Sequence, residues 1–319
     1  MNDAKPMMIA VRAYAEPVKG TDELPTKGGS STLFLQKPLP RPSSYSLIFD
    51  TETTIDASQS LRIGMYQVRK HERLVEHGIF FDPVALDASE VVDLKAFAEA
   101  NGLAVLTRED FVREVFYPYV YHKGGLLIGF NLPFDLSRLA ISIRTSQGRD
   151  MRNGFTLKLV PEKWHPPVLV RHLNSRTSFI RFAAAAIARD SRSARKRGQW
   201  TPPRKGFFLD VRTLAGALLG GSFSLGGLAK LLRTDHAKQE TEEHGGRLTR
   251  EYLTYAVTDV QVTWECCQAL AQHFDGHGIK QTPAHRIYSE ASLGKAYLKE
   301  MGIQPWTKLQ PLSRPKSWE

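Results

Sequence analysis

Short apolar runs separated by polar turns fill the first half of the chain. Tyr45-Ser46-Leu47-Ile48-Phe49-Asp50 predicts a strand, and the apolar segments 61–68 and 74–81 predict two more, with the polar turn 69–73 between them. Strands joined by short connections pair antiparallel, because parallel neighbours need a crossover of a dozen or more residues. This region therefore predicts the antiparallel part of a sheet.

Helical periodicity begins after these strands. Thr107 can cap a helix on which Phe111, Val115 and Tyr119 recur at fourfold spacing. The wholly apolar segment 126–130 predicts a strand buried on both faces. Residues 133–143 predict a helix with a proline in its first turn, where the missing N–H costs little.

The segment 150–206 reads as a β-rich insertion. Residues 155–160, 168–173 and 178–182 are strand-like, and between 189 and 205 there are seven basic residues and one acidic residue. This basic run, which contains Arg195, Lys196 and Arg197, is either a solvated tether or a clamp for phosphates.

The remaining pattern completes a layered fold. A buried strand is predicted at 207–211, with helices at 212–219 and 225–232 and a long helix at 249–274. Antiparallel strands followed by alternating helices and strands predict an α/β fold, a mixed sheet flanked by helices. Residues 1–44, rich in proline and glycine, predict a loosely ordered arm, and 276–319 a C-terminal helix and tail.

Composition excludes several classes of protein. Hydrophobic residues make up 42% of the 319 residues, which is enough for a sizeable core. The longest apolar stretch has seven residues, far below the ~20 of a membrane helix. No signal peptide is recognisable, and the only two cysteines, Cys266 and Cys267, are adjacent, so we expect an intracellular protein without disulfides or a zinc site.

The net charge of +10 and the pI near 9.6 favour a polyanionic partner. Nucleic acid is the first expectation and an anionic membrane surface the second. A charge that serves only solubility is the alternative.

Four carboxylates stand in sequence where burial is expected. Asp50 and Glu52 end the first strand at i and i+2 and so share a face. Asp135 lies in the first turn of the helix after strand 126–130, and Asp259 lies among apolar neighbours in the long helix. Clustered carboxylates repel one another unless a cation neutralises them, and all-oxygen ligands favour Mg²⁺ or Mn²⁺. A pair of such ions is standard machinery for phosphodiester cleavage.

Tyr255 precedes Asp259 by four residues, so the two lie on one face of the helix. A phenol there could orient an attacking water, although its pKa near 10 makes it a poor base by itself. Each of these motifs alone has an ordinary alternative: an exposed turn, a helix cap, an amphipathic helix. Their order along the chain gives them weight together.

Taken together, three segments resemble the motifs of the DEDD, or DnaQ-like, 3′–5′ exonucleases of the ribonuclease H-like fold, in the subgroup with tyrosine in the last motif. They are Phe49-Asp50-Thr51-Glu52-Thr53, Gly129-Phe130-Asn131-Leu132-Pro133-Phe134-Asp135 and Tyr255-Ala256-Val257-Thr258-Asp259. Within that superfamily the likeness is to the proofreading domain of family B DNA polymerases of the protein-primed, viral and organellar kind. Ser224-Leu225-Gly226-Gly227-Leu228 is similar to that group's motif for holding single-stranded DNA. The resemblance covers about 45–275.

The resemblance implies roles for individual residues. Asp50, Glu52 and Asp259 would ligate two Mg²⁺ or Mn²⁺ ions, Asp135 would act directly or through water, and Tyr255 would position the attacking water. The terminal nucleotides of the substrate would be held by Thr51, Asn131, Phe134, Ser224 and Leu225. The group also has a lysine before its last motif, for which Lys238 is the candidate, although 239–241 depart from the expected spacing.

The resemblance leaves the biological context open. No polymerase palm motifs are present, yet 289–298 resembles the segment that links exonuclease to palm, so the chain is either a fragment of a longer polymerase or a stand-alone nuclease. The expected activity is 3′–5′ hydrolysis of single-stranded DNA. The alternatives are an exoribonuclease with the same site and an inactive nucleic-acid-binding module. Expected partners are single-stranded nucleic acid and a polymerase or another replication, repair or defence protein.

Overall fold

A six-stranded mixed sheet forms the centre of the molecule in the computed structural model, which describes residues 39–147, 151–174, 177–183, 206–237 and 247–303. The sheet order is β10-β5-β1-β2-β3-β4. Its strands are β1 (Tyr45–Thr53), β2 (Leu61–Lys70), β3 (Arg73–Phe81), β4 (Ala104–Thr107), β5 (Leu126–Gly129) and β10 (Phe207–Asp210).

Strand direction follows the length of each connection. β1, β2 and β3 pair antiparallel through short turns, as the sequence predicts. β5 pairs parallel with both β1 and β10, and β3 pairs parallel with β4. The predicted mixed sheet is therefore confirmed. It is compatible with a ribonuclease H-like fold.

A second, four-stranded antiparallel sheet contains the predicted β-rich segment. It consists of β6 (Ser142–Thr145), β7 (Phe155–Lys158), β8 (Val168–His172) and β9 (Ser178–Phe182), paired in that order. The predicted helix 133–143 is too long, because the chain leaves the helix after Arg138 and pairs with β7 from Ser142 onward. Ile143 thus lies in a strand, where β-branched residues are favoured.

Helices cover the main sheet. They are α1 (Ala88–Ala100), α2 (Arg108–Asp110), which continues directly into a π-helix (Phe111–His122), α3 (Leu132–Arg138), α4 (Val211–Leu219), α5 (Leu225–Leu232), α6 (Arg250–Asp275) and α7 (Glu290–Glu300), with a 3₁₀ turn (Ala284–Arg286) before α7. In the described ranges, no helix combines the length and apolar character needed to cross a bilayer.

Alternate residues of the central strand β1 enter two different cores. Ile48 belongs to the core under α6, whereas Leu47 and Phe49 belong to the core under the π-helix. Helix α6 packs against β1 and β2 on the first of these faces. Because side chains alternate along a strand, Asp50 and Glu52 continue the Ile48 row toward α6.

The sequence pattern did not predict α1 and β4. On α1 the apolar Val92 is 65% exposed while Glu90 is buried, so the helix lacks a clean apolar stripe. Glu90 is buried because it accepts hydrogen bonds from Arg62 of β2 and from the backbone N–H of Leu248. β4 has only four residues, too few for a periodic signal.

Parts of the predicted organisation lie outside the described residues. These are most of the N-terminal arm, the whole basic run 189–205 and the end of the C-terminal tail. The division of the chain into arm, nuclease domain with insertion, and tail stays a prediction.

Candidate active site

The carboxyl ends of the three parallel strands β1, β5 and β10 meet at one edge of the main sheet. Asp50 and Glu52 lie in the last four residues of β1. Asp135 lies on α3, which follows β5 after two residues, and Asp210 ends β10. Helix α6 crosses the same edge and carries Asp259. Residues distant in sequence thus form one acidic cluster.

Asp135 and Asp259 are the most buried members of the cluster, and the partners of Asp135 are well defined. Its side chain is 2% exposed, and its Oδ1 accepts a 2.7 Å hydrogen bond from the hydroxyl of Thr51. Oδ2 is buried without a hydrogen-bond partner. The pKa of Asp135 is raised well above its ordinary value, first by burial and then by the negative charge of Asp50, with smaller contributions from Asp210 and Glu52. Burial and the neighbouring carboxylates thus both disfavour the ionised form of Asp135.

Asp210, which the sequence analysis did not single out, anchors the loop before α3. Its Oδ2 accepts a 2.9 Å hydrogen bond from the backbone N–H of Leu132, and its Oδ1 accepts one of 2.9 Å from the N–H of Thr213, at the start of α4. Asn131 between β5 and α3 adopts a left-handed conformation with φ of 71°, a turn for which asparagine is suited. Burial raises the pKa of Asp210 to about 6.

A signal for Asp210 was present in the sequence. It ends the apolar strand 207–210 just as Asp50 follows an apolar run in β1, and it precedes a predicted helix, which is the N-cap position. Its bond to Leu132, 78 residues away, had no sequence signal.

Helix α6 brings two tyrosines to the cluster. The hydroxyl of Tyr255 hydrogen-bonds Asp259, and both side chains are nearly fully buried. Burial first, and then the charge of Asp259 and Glu52, raises the pKa of Tyr255 far above its ordinary value, so the phenol stays protonated. One turn earlier, Tyr252 donates a 2.8 Å hydrogen bond to Oε2 of Glu52. The rings of Tyr252 and Tyr255 stack with their centroids 6.1 Å apart.

The donor set suits a hard divalent cation in its chemistry. Asp50, Glu52, Asp135 and Asp259 offer oxygen ligands only, and the orphaned Oδ2 of Asp135 is the kind of atom that a cation would satisfy. Within the described ranges, however, no three His, Cys, Asp or Glu side chains stand close enough to enclose an ion as they are placed. Asp50 and Glu52 are only half-buried.

The structure gives local partners to several residues predicted to hold nucleic acid. Thr51 is buried against Asp135, the Oγ of Ser224 accepts a 3.1 Å bond from the N–H of Gly227 as the N-cap of α5, and Leu225 is buried. Phe134 is half-buried under the guanidinium of Arg138. Their contacts with nucleic acid, like that of Asn131, stay predictions. The remaining predicted contacts lie outside the described residues: Arg195, Lys196, Arg197 and Lys238.

Comparisons with known proteins add little to this site. No protein-family model matches the chain, and no curated protein matches it. Among solved structures it is similar to Phi29 DNA polymerase complexed with single-stranded DNA, at 13% identity and a TM-score of 0.36 over 81% of this chain. The chain spans 35% of the length of that polymerase. A likeness this weak carries no argument about the activity.

Proposed function

We propose that this protein is a divalent-cation-dependent 3′–5′ exonuclease that removes nucleoside monophosphates from single-stranded DNA. One observation carries the proposal: carboxylates from β1, α3 and α6 lie with Tyr255 at one edge of the sheet, where the charges of Asp50 and Glu52 raise the pKa of both Asp135 and Tyr255. Carboxylates this close together, with Asp135 and Asp259 buried, are costly to keep ionised unless a cation neutralises them.

Asp50, Glu52, Asp135 and Asp259 would hold two Mg²⁺ or Mn²⁺ ions. Bound there, the ions would lower the pKa of a water molecule and stabilise the negative charge that develops on the phosphate. Tyr252 supports this arrangement, since its hydrogen bond fixes one oxygen of Glu52 in place. Thr51 does the same for Asp135.

Tyr255 would orient the attacking water. Its hydroxyl hydrogen-bonds Asp259 and stays protonated at neutral pH, so its oxygen can accept a hydrogen bond from water without taking the proton. The water oxygen would form a bond to the terminal phosphorus while the bond from phosphorus to the 3′ oxygen of the preceding nucleotide breaks. A nucleoside 5′-monophosphate would leave, and the shortened strand would keep a 3′ hydroxyl.

The net charge of +10 supports a polyanionic substrate. The choice of DNA, the place of the chain in a longer polymerase and the polymerase, replication, repair or defence partners rest on the sequence resemblance. An exoribonuclease with the same carboxylates and an inactive binding module are outcomes that the experiment below separates.

The test is digestion of 5′-labelled single-stranded DNA and RNA of equal sequence with Mg²⁺, Mn²⁺ or EDTA. We expect a ladder of DNA products that shortens one nucleotide at a time from the 3′ end and disappears in EDTA. Asp50→Ala and Asp259→Ala should abolish it, whereas Asp275→Ala, at the exposed end of α6, should not. A ladder on RNA alone would make the protein an exoribonuclease. Binding of either strand without cleavage would replace the enzyme with a binding module.

A further inference from the structure

A cavity of about 260 Å³ lies where the two sheets meet, and none of the four proposed cation-binding carboxylates lines it. Its walls come from β9, from the buried side of β10 and from the segment that leads from the 3₁₀ turn into α7. The side chains that matter here are Phe179, Arg181, Phe208, His285, Arg286 and Tyr288. This volume lies slightly below the roughly 300 Å³ at which ligand pockets usually begin, which limits any occupant to one small unit and excludes an oligomer.

Two guanidinium groups give the cavity its charge. Arg181 and Arg286 both line it, and among the described residues that line it none is acidic. The Nε of Arg286 is buried without a hydrogen-bond partner, although another part of its guanidinium hydrogen-bonds Tyr288. A buried N–H of a charged group is costly to leave without a hydrogen-bond partner. A planar guanidinium also matches the geometry of phosphate oxygens.

His285 supplies a second, independent sign of a ligand. Its side chain lines the cavity, the residue is 8% exposed, and its Nε2 is buried without a hydrogen-bond partner. Its ring packs edge-on against Phe207 at a centroid distance of 5.3 Å, whereas its Nε2 has no hydrogen bond. The side chain thus brings a buried, unpaired ring nitrogen to the wall of the cavity.

An aromatic pair lies beside the arginines. Phe179 and Tyr288 meet at a centroid distance of 4.7 Å and an interplanar angle of 83°, and both are half-buried at the cavity wall. Proteins that bind nucleotides without sequence preference combine basic groups for the phosphate with aromatic side chains for the base. Every base has a flat face that can stack on such a side chain.

We propose that this cavity binds a single nucleotide unit, with its phosphate on Arg181 and Arg286 and its base against Tyr288 and Phe179. The unit is either a free nucleoside monophosphate or the end of a strand, since both present the same chemistry. Phe208 lines the cavity and precedes Asp210 by two residues, ~7 Å along β10, so the cavity adjoins the acidic edge. The inference shares with the proposed hydrolysis only the premise of a nucleic-acid ligand.

The experiment measures binding in EDTA, which removes any cation from the carboxylates. The probes are dTMP and inorganic phosphate by calorimetry and a 5′-labelled oligo(dT) by fluorescence anisotropy. Arg286→Gln and Arg181→Gln each remove a positive charge from the cavity, and Arg144→Gln makes the same change at an exposed position on β6. Arg286→Lys keeps the charge but loses the planar group, which serves if the glutamine variant folds poorly.

We expect Arg286→Gln and Arg181→Gln to weaken binding of the nucleotide probe about tenfold or more, with Arg144→Gln near the wild type. Binding of dTMP itself assigns the site to a free nucleotide, and binding of oligo(dT) alone assigns it to a strand end. Equal effects of the three glutamine variants would overturn the proposal, as would inorganic phosphate binding as tightly as dTMP. Hydrolysis is read separately from the digestion ladder, so either idea can fail without the other.

Discussion

The hydroxyl of Thr51 donates a 2.7 Å hydrogen bond to Oδ1 of Asp135, across 84 residues of sequence. The bond joins the end of β1 to the first turn of α3, and both partners are buried. It holds a carboxyl in place among like charges, since the neighbouring Asp50 and Glu52 both disfavour its ionised form. The uncharged hydroxyl of Thr51 therefore holds the buried Asp135 carboxyl in position beside two other carboxylates.

Thr51→Val should reveal the strength of this link. The substitution keeps the shape of the side chain and removes the donor, which leaves both oxygens of Asp135 without a bond and should lower the free energy of unfolding by about 1–3 kcal/mol. Urea denaturation in EDTA measures it. Thr54→Val is the control, because the Thr54 hydroxyl donates to Asp56 and accepts from the N–H of Ser60, both of them exposed. Its loss should lower the free energy of unfolding by less than about 0.5 kcal/mol. Equal losses of unfolding free energy in the two variants would mean that the buried Thr51 bond stabilises the fold no more than an exposed one.

Asp135→Asn should separate stability from cation binding. The raised pKa of Asp135 means that the folded state disfavours the ionised carboxyl, so this group costs stability above its unfolded pKa near 3.8 and costs none below it. At pH 7 in EDTA the amide should therefore raise Tm by about 2–4 °C.

With Mn²⁺ the wild type should have the higher Tm and Asp135→Asn the lower one, because the ion stabilises only a chain that binds it. The wild type should gain Tm as Mn²⁺ is added, and Asp135→Asn should gain much less. Asp275→Asn, exposed at the end of α6, should follow the wild type. A wild-type Tm that ignores Mn²⁺ and Mg²⁺ would contradict the cation site.

Tyr255→Phe and Tyr252→Phe should damage the reaction in different ways. Each removes one buried hydroxyl from the same helix face, but Tyr255 bonds Asp259 and Tyr252 bonds Glu52. If Tyr255 orients the water, its loss should lower kcat by ~10²-fold or more at saturating Mn²⁺. Loss of the Tyr252 hydroxyl should mainly raise the Mn²⁺ concentration needed for half-maximal rate. Identical behaviour of the two variants would reduce Tyr255 to a packing role.

Asp210→Asn should loosen the loop that carries Asn131. Asparagine remains a good N-cap for α4, yet its amide has one acceptor where the carboxylate has two, so the N–H of Leu132 loses its partner. We expect about 1–2 kcal/mol of lost stability and a roughly tenfold lower rate of hydrolysis, since α3 presents Asp135. Rescue of both by Asp210→Glu would argue for the acceptor, and an unchanged rate in Asp210→Asn would argue against the clamp.

His285 should make the protein less stable in acid. Burial, and then the charges of Arg286 and Arg41, lowers the pKa of this histidine to about 4 from an ordinary 6.5. The unfolded chain therefore binds the proton first, and stability should fall as pH falls from about 6.5 to 4, by up to about 3 kcal/mol. His285→Gln should flatten that part of the curve measured by urea denaturation, whereas the exposed His273→Gln should not. Parallel curves for wild type and His285→Gln would contradict the assignment.

Local chemistry made much of this fold readable from the sequence. Short apolar runs separated by polar turns located β1, β2 and β3, and the predicted helix 225–232 matches the observed bounds of α5. Their apolar flanking residues singled out Asp50, Glu52, Asp135 and Asp259, because charged side chains are seldom found at buried positions. These signals depend on residues within one or two turns of each other.

Tertiary packing decided what those signals leave open. Three hydrogen bonds depend on which strands became neighbours. Thr51 donates to Asp135, Tyr252 donates to Glu52 from 200 residues away, and Asp210 accepts from the N–H of Leu132 as well as capping α4. Glu90 of α1 pairs with Arg62 of β2, and no periodicity in the sequence indicates that pairing. A buried polar group must find a partner, but the partner is whichever group the packed chain brings within hydrogen-bond reach. The sequence alone predicted which residues would carry the chemistry, and the fold determined which groups hold those residues in place.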